Sequence, residues 1–240
     1  MNPFLVGKTS HDWAEKSQIA VWYAQETTST NLIAKEGLAG TAPISLYLAE
    51  HQTAGRRRNN NTWSDAGEKG SAFLSSWVFQ LSKAPQPVLA PAIGLALWSS
   101  LSASFPWLAF SLKAPNDLYL NDKKLAGILI ENVQQGSSHR LIVGLGLNVW
   151  KAPSDVYNSI SLFDLLKEDL TETAWINVLD RLLLEMSLAI SQTRTALSST
   201  QCHGLLHALN KFPNLTTHYQ KVDSDGSLLS SDRKINWSEL

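Results

Sequence analysis

Apolar and polar positions alternate in short blocks over most of this chain, and only after about residue 158 does a helical period take over. Ala20–Ala24 (AVWYA) and Ile44–Ala49 (ISLYLA) are apolar runs of strand length. Between them, residues 27–31 offer several N-caps, and residues 32–38 predict a short helix ending near Gly37 or Gly40. Residues 71–80 predict a strand. Residues 88–101, entered through Pro85, Pro87 and Pro91, predict a helix of small and apolar side chains. Strands follow at 107–112, 118–120, 124–131 and 140–149, with Asn121-Asp122 as a tight turn. The later helices fall at 162–166, 171–197 and 204–211. Residues 1–18 show no period and read as a loose arm. The 28 residues from Pro213 are polar, with a hairpin signal at Asp225-Gly226. The pattern predicts an α+β fold: a mixed, largely antiparallel sheet packed with helices.

One stretch has neither period. Residues 51–70 (HQTAGRRRNNNTWSDAGEKG) are polar and hold three consecutive arginines. A loop of this length inside a compact domain is usually functional or disordered.

Composition narrows the function classes. With 240 residues, 44 % hydrophobic and 17 % charged, the chain can bury a sizeable core. Its net charge of −1 argues against specific DNA binding and leaves the basic loop as a local phosphate site. The single cysteine, Cys202, allows no internal disulfide and no cysteine-built zinc site, which fits the cytoplasm. His203 and His207 have metal-ligand spacing but no third ligand, so no metal site is predicted. No secretory signal and no apolar run near the ~20 residues of a membrane span is present.

Four segments carry candidate chemistry. Ser29-Thr30-Asn31 opens the first predicted helix. Gln52-Thr53-Ala54-Gly55-Arg56-Arg57-Arg58, followed by Trp63, lies in the polar loop. Lys113-Ala114-Pro115-Asn116-Asp117 runs into Lys123-Lys124-Leu125-Ala126-Gly127-Ile128-Leu129. Gly144-Leu145-Gly146-Leu147-Asn148 is followed by Ile160-Ser161-Leu162. Singly, each has a plainer reading: a solvated arginine run, an N-cap at Ser29-Thr30, a turn former at Asp117, close packing at Gly144 and Gly146. His51, like His203 and His207, reads as a surface residue. In this order and spacing, over roughly residues 20–210, the four segments resemble the catalytic domain of biotin–protein ligases.

The resemblance implies ATP-dependent activation of biotin to biotinyl-AMP, then transfer to a lysine of the biotin carboxyl carrier protein of acetyl-CoA carboxylase. The residue types suit that chemistry. Adenylation brings a carboxylate against a phosphate, so the site must supply positive charge where they meet; Arg56, Arg57 and Arg58 on a loop and Lys124 on a strand can do so. By resemblance, Ser29, Thr30 and Gln52 hydrogen-bond the biotin head group, and Asn31, Gly55, Gly127 and Leu129 complete its pocket. Arg58 and Lys124 contact the adenylate, with Arg56, Arg57, Lys113 and Asn116 beside them. Asn148 reaches the adenine and Trp63 covers it. Mg²⁺ would counter the phosphate charge of ATP. Asp117 matches the residue that assists the incoming amine, which at pH 7 must lose a proton at a cost of ~4–5 kcal/mol from a pKa of ~10.4. The resemblance leaves room for a homodimer and implies no membrane or specific DNA partner.

The chain also departs from that family. Where its members read G-R-G-R-R-G-R, this one reads Gly55-Arg56-Arg57-Arg58-Asn59-Asn60-Asn61. Asn60 can stand in for a glycine, since Asn tolerates left-handed geometry; Arg57 is harder to accommodate. K-W-P-N-D becomes Lys113-Ala114-Pro115-Asn116-Asp117, and Trp77 or Trp107 is a candidate to replace the lost ring. Residues 1–212 then form the catalytic domain, and 213–240 a reduced remnant of a C-terminal domain. Two alternatives follow: a lipoate or octanoate ligase or transferase on the same fold, and a non-catalytic binder of biotin or its adenylate.

Overall fold

A computed structural model describes residues 4–37, 42–58, 61–193, 195–216 and 218–240. The first half holds α1 (Val6–Lys16), β1 (Ala20–Ala24), α2 (Thr30–Glu36), β2 (Ile44–Ala49), β3 (Ala72–Leu81) and α3 (Leu89–Ser104). Then come β4 (Phe110–Lys113), β5 (Asp117–Leu120), β6 (Lys123–Gln135), β7 (Ser138–Asn148), α4 (Phe163–Leu166), α5 (Glu172–Gln192) and α6 (Ser199–Asn210). Three short strands close the chain: β8 (Lys221–Val222), β9 (Leu228–Leu229) and β10 (Lys234–Ile235). The larger sheet runs β1-β2-β3-β7-β6-β5-β4 and the smaller β10-β9-β8. β1 and β2 are parallel, whereas β2–β3, β3–β7, β6–β7 and β4–β5 are antiparallel. This is the mixed α+β architecture that the sequence predicts.

The chain divides into two compact units: residues up to Pro85 with Leu125–Ile176, and Gln86–Lys124 with Asn177–Leu240. In the first, β3 is buried over eight consecutive residues because both faces of its sheet are covered. Phe73 and Trp77 point to one face, where Phe73 packs edge-on against Trp175 (5.2 Å between centroids) and Trp77 against Trp13 (6.0 Å). Leu74, Ser76 and Val78 point to the other, where Ala34 of α2 joins Val78 and Ile142.

Residues 6–16 form a helix rather than a loose arm. Their buried positions are Val6, Gly7, Thr9, Ser10, Trp13 and Ala14, a helical stripe disguised by two hydroxyls and a glycine. The Ser10 hydroxyl donates to the Val6 carbonyl and accepts from the Trp175 indole N–H, so its polarity is satisfied inside the core. The start of α1 is capped from outside the helix. Glu50, 3 % exposed at the end of β2, accepts the backbone N–H groups of Gly7 (3.1 Å) and Lys8 (2.7 Å) and the Tyr23 hydroxyl (2.7 Å). Burial, and then this hydrogen bond to a carboxylate, push the Tyr23 phenol well above its ordinary pKa.

In the second unit, α3 and α6 pack together, and Ser198 with Gln201 forms a capping box at the start of α6. The Asp225-Gly226 hairpin is present between β8 and β9: Gly226 takes φ +85° and the Asp225 carboxylate accepts the Ser227 N–H. Leu228 and Trp237 are buried beside it. Asn121 adopts φ +55° in its tight turn. Gly37 ends α2, while Gly40 lies outside the described residues. Among the described residues no helix is long and apolar enough to cross a membrane.

Replacing Glu50 by Ala strands three donors at once. The expected loss is about 2–4 kcal/mol of stability, read as a drop in urea midpoint at unchanged slope. A loss under about 1 kcal/mol would mean that water caps α1 equally well.

Candidate active site

Cross-strand register sets the floor of the candidate site in the first unit. Leu74, Gly146 and Gly127 are partners across β3, β7 and β6; so are Ser76, Gly144 and Leu129, and then Val78, Ile142 and Glu131. Direct partners share a face, so these three rows lie side by side on the α2 side of the sheet. Two of the three β7 residues lack side chains, and the vacated space is taken by residues from elsewhere. A Cβ at Gly144 would fall 2.2 Å from Asn31 Oδ1, and one at Gly146 would fall 2.5 Å from the Trp63 ring. The G-x-G-x-N spacing is thus a packing requirement: Asn31 sits over Gly144, Trp63 over Gly146, and Asn148 follows on the same face. Asn148 Nδ2 donates to the Ile160 carbonyl (3.0 Å).

The residues opening α2 interlock with the loop. The Gln52 side-chain oxygen accepts the Thr30 N–H (2.7 Å) and the Thr30 hydroxyl (3.2 Å). Gln52 therefore takes over the helix-capping work, and Ser29, the N-cap residue, makes no side-chain cap bond. Ser29 thus holds the N-cap position, its carbonyl accepting the Ile33 N–H (3.1 Å), while its hydroxyl does no capping. The Ser76 hydroxyl, fully buried, donates to Asn31 Oδ1 (2.5 Å) and lies 2.8 Å from the Thr30 hydroxyl. Asn31 Nδ2 donates to Glu131 (2.9 Å), so both ends of its amide are engaged within the protein.

The loop folds back on itself. The Trp63 N–H donates to the Gly55 carbonyl (2.8 Å), the Arg57 N–H to the Asn61 carbonyl (2.8 Å), and Arg56 bridges to Thr62. Gly55 permits this approach, since a Cβ there would lie 2.9 Å from the Trp63 carbonyl. Arg57 is accommodated without left-handed geometry: its guanidinium lies over the Trp63 indole, 5.1 Å from the ring centroid. Arg58 is half-buried and accepts the Asn61 N–H at its carbonyl. Asn59 and Asn60, including the glycine substitute expected at Asn60, lie outside the described residues. Three buried polar atoms in this region have no partner among the described residues: Arg57 Nε, Trp63 Nε1 and Asn148 Oδ1.

Three residues that the sequence pattern does not single out are central here. Asp65, its side chain 5 % exposed, accepts the Gln52 N–H (3.2 Å) and the Gly67 N–H (2.9 Å) and faces His51 Nδ1 (2.9 Å). His51 is therefore a paired, half-buried residue and not a bare surface one. The second is Ser76. The third is Glu131, whose one legible signal is a charge interrupting the apolar run of β6.

In the second unit, the turn 114–116 joins β4 to β5, and Asp117 is the first residue of β5. Its carboxylate pairs with Lys124 Nζ at 2.5 Å, both side chains about one-fifth exposed. Lys113 Nζ lies 5.6 Å from the rings of both Tyr119 and Phe212. Burial, and then the charge of Asp117, raise the pKa of Tyr119. The rings considered as replacements for the lost tryptophan have other partners: Trp77 packs on Trp13, and Trp107, 65 % exposed, on Phe105. Asn116 makes contacts of its own.

The donor set does not resemble a resident metal centre. The carboxylates of Asp117 and Glu131 are each paired with side-chain cations, and the one group of three metal-ligating side chains among the described residues is His11, Asp12 and Glu15, on α1.

Comparison with known proteins adds the family. The model of the "Biotin/lipoate A/B protein ligase family" matches residues 21–148. A biotin–[acetyl-CoA-carboxylase] ligase of Mycobacterium tuberculosis is 33 % identical over 175 residues, 71 % of this chain and 63 % of that protein. The bifunctional ligase/repressor BirA of Salmonella typhimurium is 27 % identical over 237 residues, 94 % of this chain and 67 % of that protein. The chain thus spans about two thirds of the length of these relatives. Among solved structures, a biotin protein ligase from Aquifex aeolicus in complex with biotin and ATP superposes with a TM-score of 0.68 at 20 % identity, covering 90 % of this chain and 95 % of that one.

The glycine floor makes a clear prediction. Gly146→Ala must displace the Trp63 ring and should cost about 1–3 kcal/mol. Gly94→Ala, in the interior of α3 with open space around it, should gain up to about 1 kcal/mol. Unfolding curves of the two variants moving in the same direction would refute the packing argument.

Proposed function

The chain belongs to the biotin/lipoate A/B protein ligase family, and on that premise we propose that it activates biotin with ATP and transfers it to a lysine of a biotin carboxyl carrier domain in the cytoplasm. The observation that carries this reading is the set of orphaned polar atoms around Trp63. A buried acceptor without a donor is unfavourable by about 1–3 kcal/mol, and Asn148 Oδ1 is such an acceptor. An adenine exocyclic amine would satisfy it, with the Trp63 indole beside it. The relatives' names and the biotin and ATP bound to the Aquifex aeolicus protein point the same way.

The proposed chemistry runs in two steps. A biotin carboxylate oxygen attacks the α-phosphate of ATP, the bond to the β,γ-phosphates breaks, and pyrophosphate leaves. Arg58 and Lys124 offset the charge that builds up between carboxylate and phosphate, with Arg56 and Arg57 on the same loop. Lys113, above its two rings, and Asn116 are assigned lesser contacts to the adenylate. The acceptor amine then attacks the biotinyl carbonyl and AMP departs; Asp117 takes or orients the amine proton. Ser29 and Thr30 offer hydroxyls to the biotin ureido ring. Gln52, whose oxygen serves Thr30, offers its amide N–H groups. Gly55, Gly127 and Leu129 line the pocket, and Asn31 supports it through Ser76.

The 2.5 Å pair of Asp117 with Lys124 bears on how the two steps separate. Lys124→Ala should slow adenylation by about 10²–10³. Asp117→Asn should slow transfer by about 10²–10⁴ and also impair adenylation, because it removes the partner of Lys124. Single-turnover pyrophosphate release and biotin transfer to an acceptor domain read the steps apart. Pre-made biotinyl-AMP should largely rescue Lys124→Ala and leave Asp117→Asn slow. Pyrophosphate released better with lipoate than with biotin would overturn the substrate assignment. Biotin bound with no adenylate formed would make the protein a binder.

A further inference from the structure

Glu131 lies two residues beyond Leu129 on the same face of β6, and side chains from two other elements converge on it. Lys35 Nζ of α2 lies 2.6 Å from Oε1, Asn31 Nδ2 of α2 donates to Oε2 at 2.9 Å, and Arg56 of the loop lies 3.8 Å from Oε1. Burial disfavours its charge. Hydrogen bonds from Lys35 and Asn31 and the charges of Lys35 and Arg56 outweigh that, and hold its carboxyl below the ordinary range. Asn31 and Lys35, four residues apart on α2, present one helix face to this carboxylate. Had the contacts stopped there, Glu131 would be a clamp between α2 and β6. The approach of Arg56 gives it a second task. Arg56 stands next to Gly55, whose carbonyl accepts the Trp63 N–H, and bridges to Thr62. Pinning Arg56 therefore pins the arm of the loop on which Trp63 rests.

We propose that Glu131 is a positioning residue for the arginine loop: with Lys35 and Asn31 it fixes the carboxylate against which Arg56 docks. Isolated surface ion pairs contribute little, but several charges on one half-buried carboxylate form a network. Docking before the nucleotide binds raises the fraction of protein competent to receive it, and apparent affinity scales with that fraction. The nucleotide half of this claim rests on the adenylating function proposed above; the docking half does not.

The docking half is tested without ligand. Cleavage by a non-specific protease within residues 51–70 is mapped in the wild type, Glu131→Gln, Arg56→Gln and the double variant. Glu131→Gln and Arg56→Gln should each raise loop cleavage by up to about five-fold, the factor that corresponds to the ~1 kcal/mol upper end for such a pair. The double variant should be cut no faster than either single one. Unchanged cleavage in Glu131→Gln, or additive effects in the double variant, would overturn the proposal. If Glu131→Gln fails to fold by circular dichroism, unchanged cleavage in Arg56→Gln alone overturns it. For the nucleotide half, biotin-dependent pyrophosphate release in Glu131→Gln should show the KM for ATP raised by the same factor and kcat within about two-fold. The same KM change from Glu131→Gln in an Arg56→Gln background would mean that Glu131 does not act through Arg56. A wild type that releases no pyrophosphate with biotin refutes the adenylating function and leaves the cleavage result to decide the docking.

Discussion

The carboxylate of Glu50 holds the first unit together. It takes the leading N–H groups of α1 and the hydroxyl of Tyr23 from β1, while its own backbone continues β2. The Glu50 carbonyl accepts the N–H of Gly70, and the Gly70 carbonyl accepts the N–H of Val6. The start of a helix, the start of the long loop and its end therefore meet at one residue. Gly7 is required for this approach, since a Cβ there would fall 2.8 Å from the Glu50 carboxylate. With both ends fixed, closing the loop adds no further entropy cost, and only its interior remains to be arranged. His51 and Gln52 follow Glu50 directly, so the capping of α1 and the placement of Gln52 against Thr30 have one origin.

The sheet and most helices were legible because hydrophobic period is a local property. β1, β2, β3 and β7 fall where the alternation places them, whereas α5 stops at Gln192, short of the expected 197, and α6 starts at Ser199, before the expected 204. α1 was not legible, because its cap is contributed from more than 40 residues away and its stripe contains Thr9 and Ser10. The same limit applied to the site. The motifs named Gln52, Arg56 and Lys124, but Ser76, Asp65 and Glu131 matter through partners far off in sequence. Gly144 and Gly146 were visible as a pair, yet their meaning depends on Asn31 and Trp63 filling the space they leave. Ser29 shows a local rule met in part: it holds the N-cap position, and a distant glutamine supplies the side-chain acceptor.

The cations that the proposed function assigns to the phosphate share a further property. A site for an anionic phosphate needs positive charge, yet several cations held together in half-buried surroundings repel one another and lose hydration. In this chain they are stationed separately, each against its own partner: Arg56 at Glu131, Lys124 at Asp117, Arg57 over Trp63 and Lys113 over Tyr119 and Phe212. These partners differ in strength. A cation over an aromatic face contributes about 0.5–1 kcal/mol when exposed and about 2 kcal/mol when desolvated, against about 1.5–3 kcal/mol for a hydrogen bond to a charged group. Under the proposed function, the arginine over Trp63 exchanges its ring for a phosphate oxygen. The carboxylate-bound cations must instead share their partner or leave it. An arginine in place of a small, uncharged glycine at position 57 is on this argument a workable substitution: the added charge has a resting place that a phosphate can outcompete.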